Sequence, residues 1–251
     1  MKDVILEIDE LKEKRRKRII RICLALLILG GIILTFVSLR IENVNVVGNI
    51  YYTKEEAEDI VFDSPYKDYT IYLWLTEKLS GHRQIPFIDR YVVKFNSPSS
   101  IDIVLYEKNI ICCFEQMGTY MFLNERGMLL ECGSRVVKSI PVITGIPYEN
   151  AVLNEKIKVP DDKVFEKIAI IKQILERNDI TAERIHFDTS YNPVLYIGDI
   201  KVILGNNKDT DGQIMELKNI LPMLDRAGTL DLTYYKEGQE DVSYPFTYDK
   251  K

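Results

Sequence analysis

The chain has 251 residues, with 33 lysines and arginines against 38 aspartates and glutamates, for a formal charge of -5. The first 21 residues carry about +3 of that balance and leave about -8 on the rest, which argues against a nucleic-acid partner and against a basic lipid-binding face. Four cysteines do not make a disulfide framework.

A basic cluster, Lys14-Arg15-Arg16-Lys17-Arg18, leads into the uncharged run Ile22 to Leu39. At roughly 18 residues and ~1.5 Å per residue, the run reaches about 27 Å, close to the hydrocarbon thickness of a bilayer. Cations crowd its N-terminal side and only Arg40 lies close beyond it, so the N-terminus is expected inside and the remainder outside. Arg21 sits where its side chain can snorkel to the headgroups. A cleaved signal peptide would have a shorter apolar region and a small-x-small site. Here Phe36 precedes Ser38 by two positions and Leu29 precedes Gly31, so an uncleaved anchor is expected. The expectation is a cytoplasmic tail at 1–18, one transmembrane helix at 19–39 and a large outer part. In the tail Ile5, Ile8 and Leu11 fall roughly in line, for a short helix or for no fixed structure.

The outer part, about 210 residues, suits one large domain or two small ones. Val44 and Val46 alternate with Asn45 as in a strand, and Gly48-Asn49 close it. Thr53 and Glu56 form a capping box that opens a short helix through Phe62, with Ala57, Ile60 and Val61 inward. Tyr69 to Leu79 is a second helix, with Ile71, Leu75 and Leu79 spaced for one inner face. Strands follow at Ile88 to Phe95 and Ile101 to Glu107, joined by the turn-rich Asn96 to Ser100. The order β-α-α-β-β makes one unit, 40–108.

A second domain, 109–235, reads as a mostly antiparallel sheet carrying two helices. Its strands are expected at Ile110 to Phe114, Thr119 to Leu123, Met128 to Glu131, Pro141 to Gly145, Arg184 to Phe187, Val194 to Ile197, Ile200 to Leu204 and Thr229 to Tyr235. Its helices are Val164 to Leu175, with Ile168, Ile171 and Leu175 on one face, and Ile214 to Leu224. Val242 to Tyr248 adds a strand in the tail, 236–251. Cys112 and Cys113 point to opposite faces of a strand. Cys132 either meets one of them across a hairpin or all three are buried free thiols.

Catalytic chemistry is sparse. His82 sits beside Gly81 in a turn and His186 lies in a strand, neither with a Cys, His or carboxylate at ligand spacing. No nucleophile-elbow, Ser-x-x-Lys or phosphate-loop pattern occurs. Asn207-Lys208-Asp209-Thr210-Asp211-Gly212 imitates the opening of a calcium loop, but Lys218 stands where a bidentate Glu is needed. Asp211 as a helix N-cap explains the same residues. No cofactor, metal or catalytic residue is expected.

Three stretches carry a family resemblance. Val44-Asn45-Val46-Val47-Gly48-Asn49 resembles the first strand of a POTRA module, and Pro98 to Lys108 its last hairpin. Pro141 to Gly145, Leu204-Gly205 and Gly228 to Tyr234 are similar to the β domain of the FtsQ/DivIB family of bacterial cell-division proteins. The resemblance implies an α+β chain: an N-terminal transmembrane helix, a β-α-α-β-β POTRA domain and a mostly antiparallel β domain with two helices. It implies a non-enzymatic divisome scaffold at the septum that binds FtsB/DivIC-like and FtsL-like single-pass coiled-coil partners and helps control septal peptidoglycan synthesis. In the family the last strand meets the FtsB/DivIC partner. The matching positions are Leu230, Leu232 and Tyr234, with Val242, Tyr244 and Phe246 on the strand after. Physically, a terminal strand leaves backbone groups for a partner strand. Tyr234, Tyr235, Tyr244, Phe246 and Tyr248 would anchor it, unless they simply pack on the sheet. Asp231 and Glu237 to Asp241 would guard the edge against self-pairing. The alternatives are a membrane-anchored extracytoplasmic enzyme acting on cell wall, which needs a catalytic set, and an outer-membrane assembly protein, which needs a long series of transmembrane strands.

Overall fold

The computed structural model describes residues 2–79, 84–149, 151–224, 227–236 and 244–248, without the side chains of 2–14, 35–38 and Tyr248. His82, Val242 and the acidic stretch Glu237 to Asp241 lie outside the described residues. The chain divides into two compact units, Met1–Glu107 and Lys108–Lys251. Among the described residues, five α-helices and two mixed sheets make it α+β.

Helix α1 (Lys2–Ser38) is continuous through the charged tail and the apolar run. Good helix formers (Glu, Lys, Arg, Leu) fill its first half. Its apolar side chains from Ile19 to Leu34 stand exposed. Among the described residues no helix is long and apolar enough to cross a membrane; the membrane assignment of 19–39 is therefore a proposal.

The rest of the first unit runs β1 (Asn43–Val47), α2 (Lys54–Val61), α3 (Thr70–Leu79), β2 (Ile88–Ser97) and β3 (Ser100–Glu107). The strands form a sheet in the order β1-β3-β2. β1 runs parallel to β3, with Val44 opposite Ile101 and Val46 opposite Ile103, and β2 runs antiparallel to β3. The parallel pairing follows from the two helices between β1 and β2, which return the chain across the sheet. The capping box forms in both directions: Glu56 N–H donates to Thr53 Oγ1 at 3.2 Å and Thr53 N–H to Glu56 Oε2 at 2.9 Å. Ala57 is buried and Ile60 and Val61 are half-buried.

Helix α3 corrects the expected inner face. It buries Thr70 and Leu73, whereas Leu75 and Leu79 are exposed and Ile71 is half-buried. The spacing of Ile71, Leu75 and Leu79 marks one side of a helix, but the apolar residue that is buried is Leu73, on another side.

The second unit runs β4 (Cys112–Gln116), β5 (Thr119–Leu123), β6 (Leu129–Gly133), β7 (Val142–Thr144), α4 (Lys163–Arg177), β8 (Arg184–Phe187), β9 (Pro193–Ile197), β10 (Ile200–Ile203), α5 (Thr210–Ile220), β11 (Gly228–Asp231) and β12 (Phe246–Tyr248). All nine strands join one sheet in the order β12-β11-β10-β9-β8-β7-β4-β5-β6. Pairs β11/β10, β8/β7 and β7/β4 are parallel and the other five antiparallel. Ile168, Ile171 and Leu175 of α4 and Ile214 and Leu217 of α5 share one core with Ile143, Ile185, Leu195, Val202 and Leu230 of the strands.

Cys112 and Cys113 face Leu123 and Phe122 on β5, and Cys132 faces Met121 on the far side of that strand. Two strand spacings, roughly 9–10 Å, separate Cys132 from β4, beyond disulfide reach. All four cysteines are free thiols.

Candidate functional site

β12 ends the nine-stranded order, and no further strand pairs with it among the described residues. It runs antiparallel to β11, with Phe246 opposite Leu230 and Tyr248 opposite Gly228. Asp231 N–H donates to the Pro245 carbonyl at 3.0 Å. In an antiparallel ladder that contact makes Thr229 and Thr247 the inward-bonding pair. The backbone N–H and C=O of Tyr248 therefore face the outer edge of the sheet. Gly228 is required beneath: a Cβ there would lie 2.6 Å from Phe246 Cζ.

The structure separates the residues that the sequence groups along this edge. Leu230 and Leu232 are buried, and their side chains belong to the core. Tyr234 is 78% exposed and stands in a turn, because β11 stops at Asp231 and does not reach Tyr235. The stop is local: Asp231 Oδ1 accepts the Thr233 N–H at 2.9 Å, an Asx-type turn that draws the chain out of the ladder. Asp231 thus ends a strand rather than guarding an edge. Tyr244 stacks on Tyr235, with ring centres 6.2 Å apart. Burial and the nearby Glu216 carboxylate hold the Tyr244 phenol above its usual range. Phe246 packs half-buried against the core.

Two amides hold this turn in place, and sequence reading missed both. Gln213, fully buried on α5, donates through Nε2 to the Leu204 and Leu232 carbonyls, both at 2.7 Å. It ties the end of β10 to the end of β11. Asn207 Nδ2 donates to the Tyr235 carbonyl at 2.8 Å and to that of Thr233 at 3.4 Å. The available signal was Gln213 beside Ile214 and Leu217 on the inward face of a helix, where a buried amide demands partners. Gly212 lets Tyr235 approach, since a Cβ there would meet its Cε1 at 2.5 Å.

The calcium-loop imitation resolves into turn and cap. Asp209, not Asp211, is the N-cap of α5, its Oδ1 accepting the Gly212 N–H at 2.9 Å. Asn207 Oδ1 accepts the Asp209 N–H at 3.0 Å, and Asp211 pairs with Arg177. Among the described residues no three His, Cys, Asp or Glu side chains are grouped to hold a metal. His186 Nδ1 meets the Thr144 hydroxyl at 3.0 Å. What this end of the sheet can do is present backbone hydrogen-bonding groups beside a cluster of aromatic rings.

No protein-family model matches the chain. Over 202 residues it is 22% identical to the cell division protein DivIB of Clostridium acetobutylicum, a match covering 78% of this chain and 80% of that protein.

Proposed function

We propose that this chain, a relative of the FtsQ/DivIB cell-division proteins, is a non-enzymatic scaffold of the bacterial division machinery. In this reading residues 19–39 of α1 anchor it in the cell membrane, with the tail 1–18 inside and residues 40–251 outside. Residues 40–108 act as a POTRA domain. The β domain binds FtsB/DivIC-like and FtsL-like single-pass proteins at the septum and helps control septal peptidoglycan synthesis. The likeness to DivIB along most of both chains supports the cell-division role.

The observation that carries the binding mode is the position of β12 at the end of the sheet, beside Tyr234, Tyr244 and Phe246. A partner strand would add to that edge through backbone bonds and take specificity from alternate side chains. Anchoring scaffold and partners in one membrane raises their effective concentration without any new contact.

The test is co-purification of the full chain with its membrane partners, against a chain ending after Tyr244. Cutting at Thr229 would remove Leu230 and Leu232 from the core; ending after Tyr244 removes only residues 245–251, the strand β12 among them. The shortened chain should stay folded and lose the partners. Undiminished recovery of the coiled-coil partners would overturn the reading.

A further inference from the structure

Trp74, Leu75, Lys78 and Leu79 lie on one side of α3, spaced by three and four residues. Trp74 and Leu75 are each 46% exposed and Leu79 is 75% exposed. Lys78 Nζ lies over the Trp74 ring, 4.4 Å from its centre. Leu73, on the opposite side of the helix, is buried in the unit, and Thr70 in the first turn is buried as well. α3 thus has two apolar sides, and its own unit covers one of them.

The start of α3 is fastened to the end of α1. Thr70 N–H donates to the Leu39 carbonyl at 3.4 Å, and Ile41 N–H to the Asp68 carbonyl at 2.8 Å. Arg40 donates to the Tyr69 hydroxyl at 3.2 Å and lies over its ring. A ten-residue helix is about 15 Å long. No backbone position of the stripe lies farther than that from the start of α3, beside the point where the chain leaves the apolar helix.

We propose that this stripe rests in the headgroup layer of the bilayer that holds α1. The proposal depends on reading α1 as a membrane anchor. A tryptophan, two leucines and a lysine suit that layer: the indole sits at headgroup level, the leucines reach toward the acyl chains, and the lysine head stays in water. The contact is apolar rather than basic, in keeping with the acidic charge of the outer part. It would add to the bonds at residues 39–41 in holding the segment after α1 at a fixed tilt on the membrane.

Trp74 is the only tryptophan in the chain, so its fluorescence reports this contact alone. The full chain is reconstituted into phosphatidylcholine vesicles, with and without bromine on the acyl chains near the headgroups, and flotation is measured alongside. The proposal expects the chain to float and Trp74 to lose most of its emission to bromine and little to aqueous iodide, with no change at high salt. The double variant Leu75→Glu, Leu79→Glu should still float while regaining emission in brominated vesicles. A floating chain whose Trp74 is quenched by iodide and not by bromine would overturn the proposal and leave the anchor standing. Quenching by neither would overturn it in favour of a protein surface over the stripe. A chain that does not float would remove the anchor reading and the proposal together.

Discussion

The two ends of the nine-stranded sheet are finished differently. At β6 the chain covers its own edge. Leu129 N–H donates to the Glu155 carbonyl at 2.9 Å, Asn154 N–H donates to the Leu129 carbonyl at 2.7 Å, and Met128 bridges Lys156. Lys108 adds a bond to the Leu130 carbonyl and an ion pair with Glu131 at 2.9 Å. At β12, three residues long, no strand lies outside among the described residues, and the neighbouring surface is aromatic. An open edge invites unwanted pairing, and chains usually blunt it. Here the same sheet is blunted at one end, and among the described residues no strand covers the other. That contrast argues for β12 as a docking edge more strongly than the sequence of either strand.

The largest expected effect falls on the support of the open end. Gln213→Leu takes the donor from the Leu204 carbonyl, while the Leu232 carbonyl keeps the Tyr235 N–H at 3.0 Å. An unsatisfied buried group costs about 1–3 kcal/mol, so urea unfolding should show a loss of about that size, and the proposed partner binding should weaken with it. Next comes Tyr248→Pro, which removes an outward N–H without touching the inward pair. Partner affinity should fall about tenfold or more, while stability changes by less than about 1 kcal/mol. Equal affinity would make the two ends equivalent. At the closed end, Lys108→Ala should cost about 1 kcal/mol or less, as expected for a partly exposed ion pair. It should leave partner binding intact but promote self-association, read by sedimentation.

Thiol labelling compares the end strand β6 with the interior strand β4 and needs no change in stability. Burial pushes Cys112 well above the usual thiol range and Cys113 up to about 12, so little reactive thiolate exists on β4. Cys132 on β6 is exposed and raised less, by partial burial and the Glu131 charge. Mild alkali should label Cys132 in the folded protein and Cys112 and Cys113 only after unfolding.

Local chemistry made much of this fold legible in advance. The Thr53–Glu56 capping box, the turn at Pro98-Ser99 (shorter than the expected Asn96 to Ser100) and the apolar face of α4 each depend on residues within one or two turns of chain. Sheet order was not legible, because parallel pairs such as β10/β11 and β7/β8 join segments separated by whole helices. The outer stripe of α3 shows a second limit: periodicity identifies an apolar side but not which side meets the core. Around β12, the aromatic residues were visible as strand formers. The turn that displaces Tyr234 was not, because Asp231 can either cross an edge or bond its own backbone. Likewise Asp209 and Asp211 can each cap α5, and only the path of the chain from β10 selects Asp209.

In the proposed complex β12 receives a partner strand and β6 does not. Amide hydrogen exchange tests this on the full chain in membranes, alone and with the FtsB/DivIC-like and FtsL-like proteins proposed as its partners. Tyr248 should exchange fast in the free chain and be strongly protected in the complex, with unchanged exchange through Leu129 to Gly133. Protection gained along β6, with Tyr248 still exchanging freely in the complex, would contradict it.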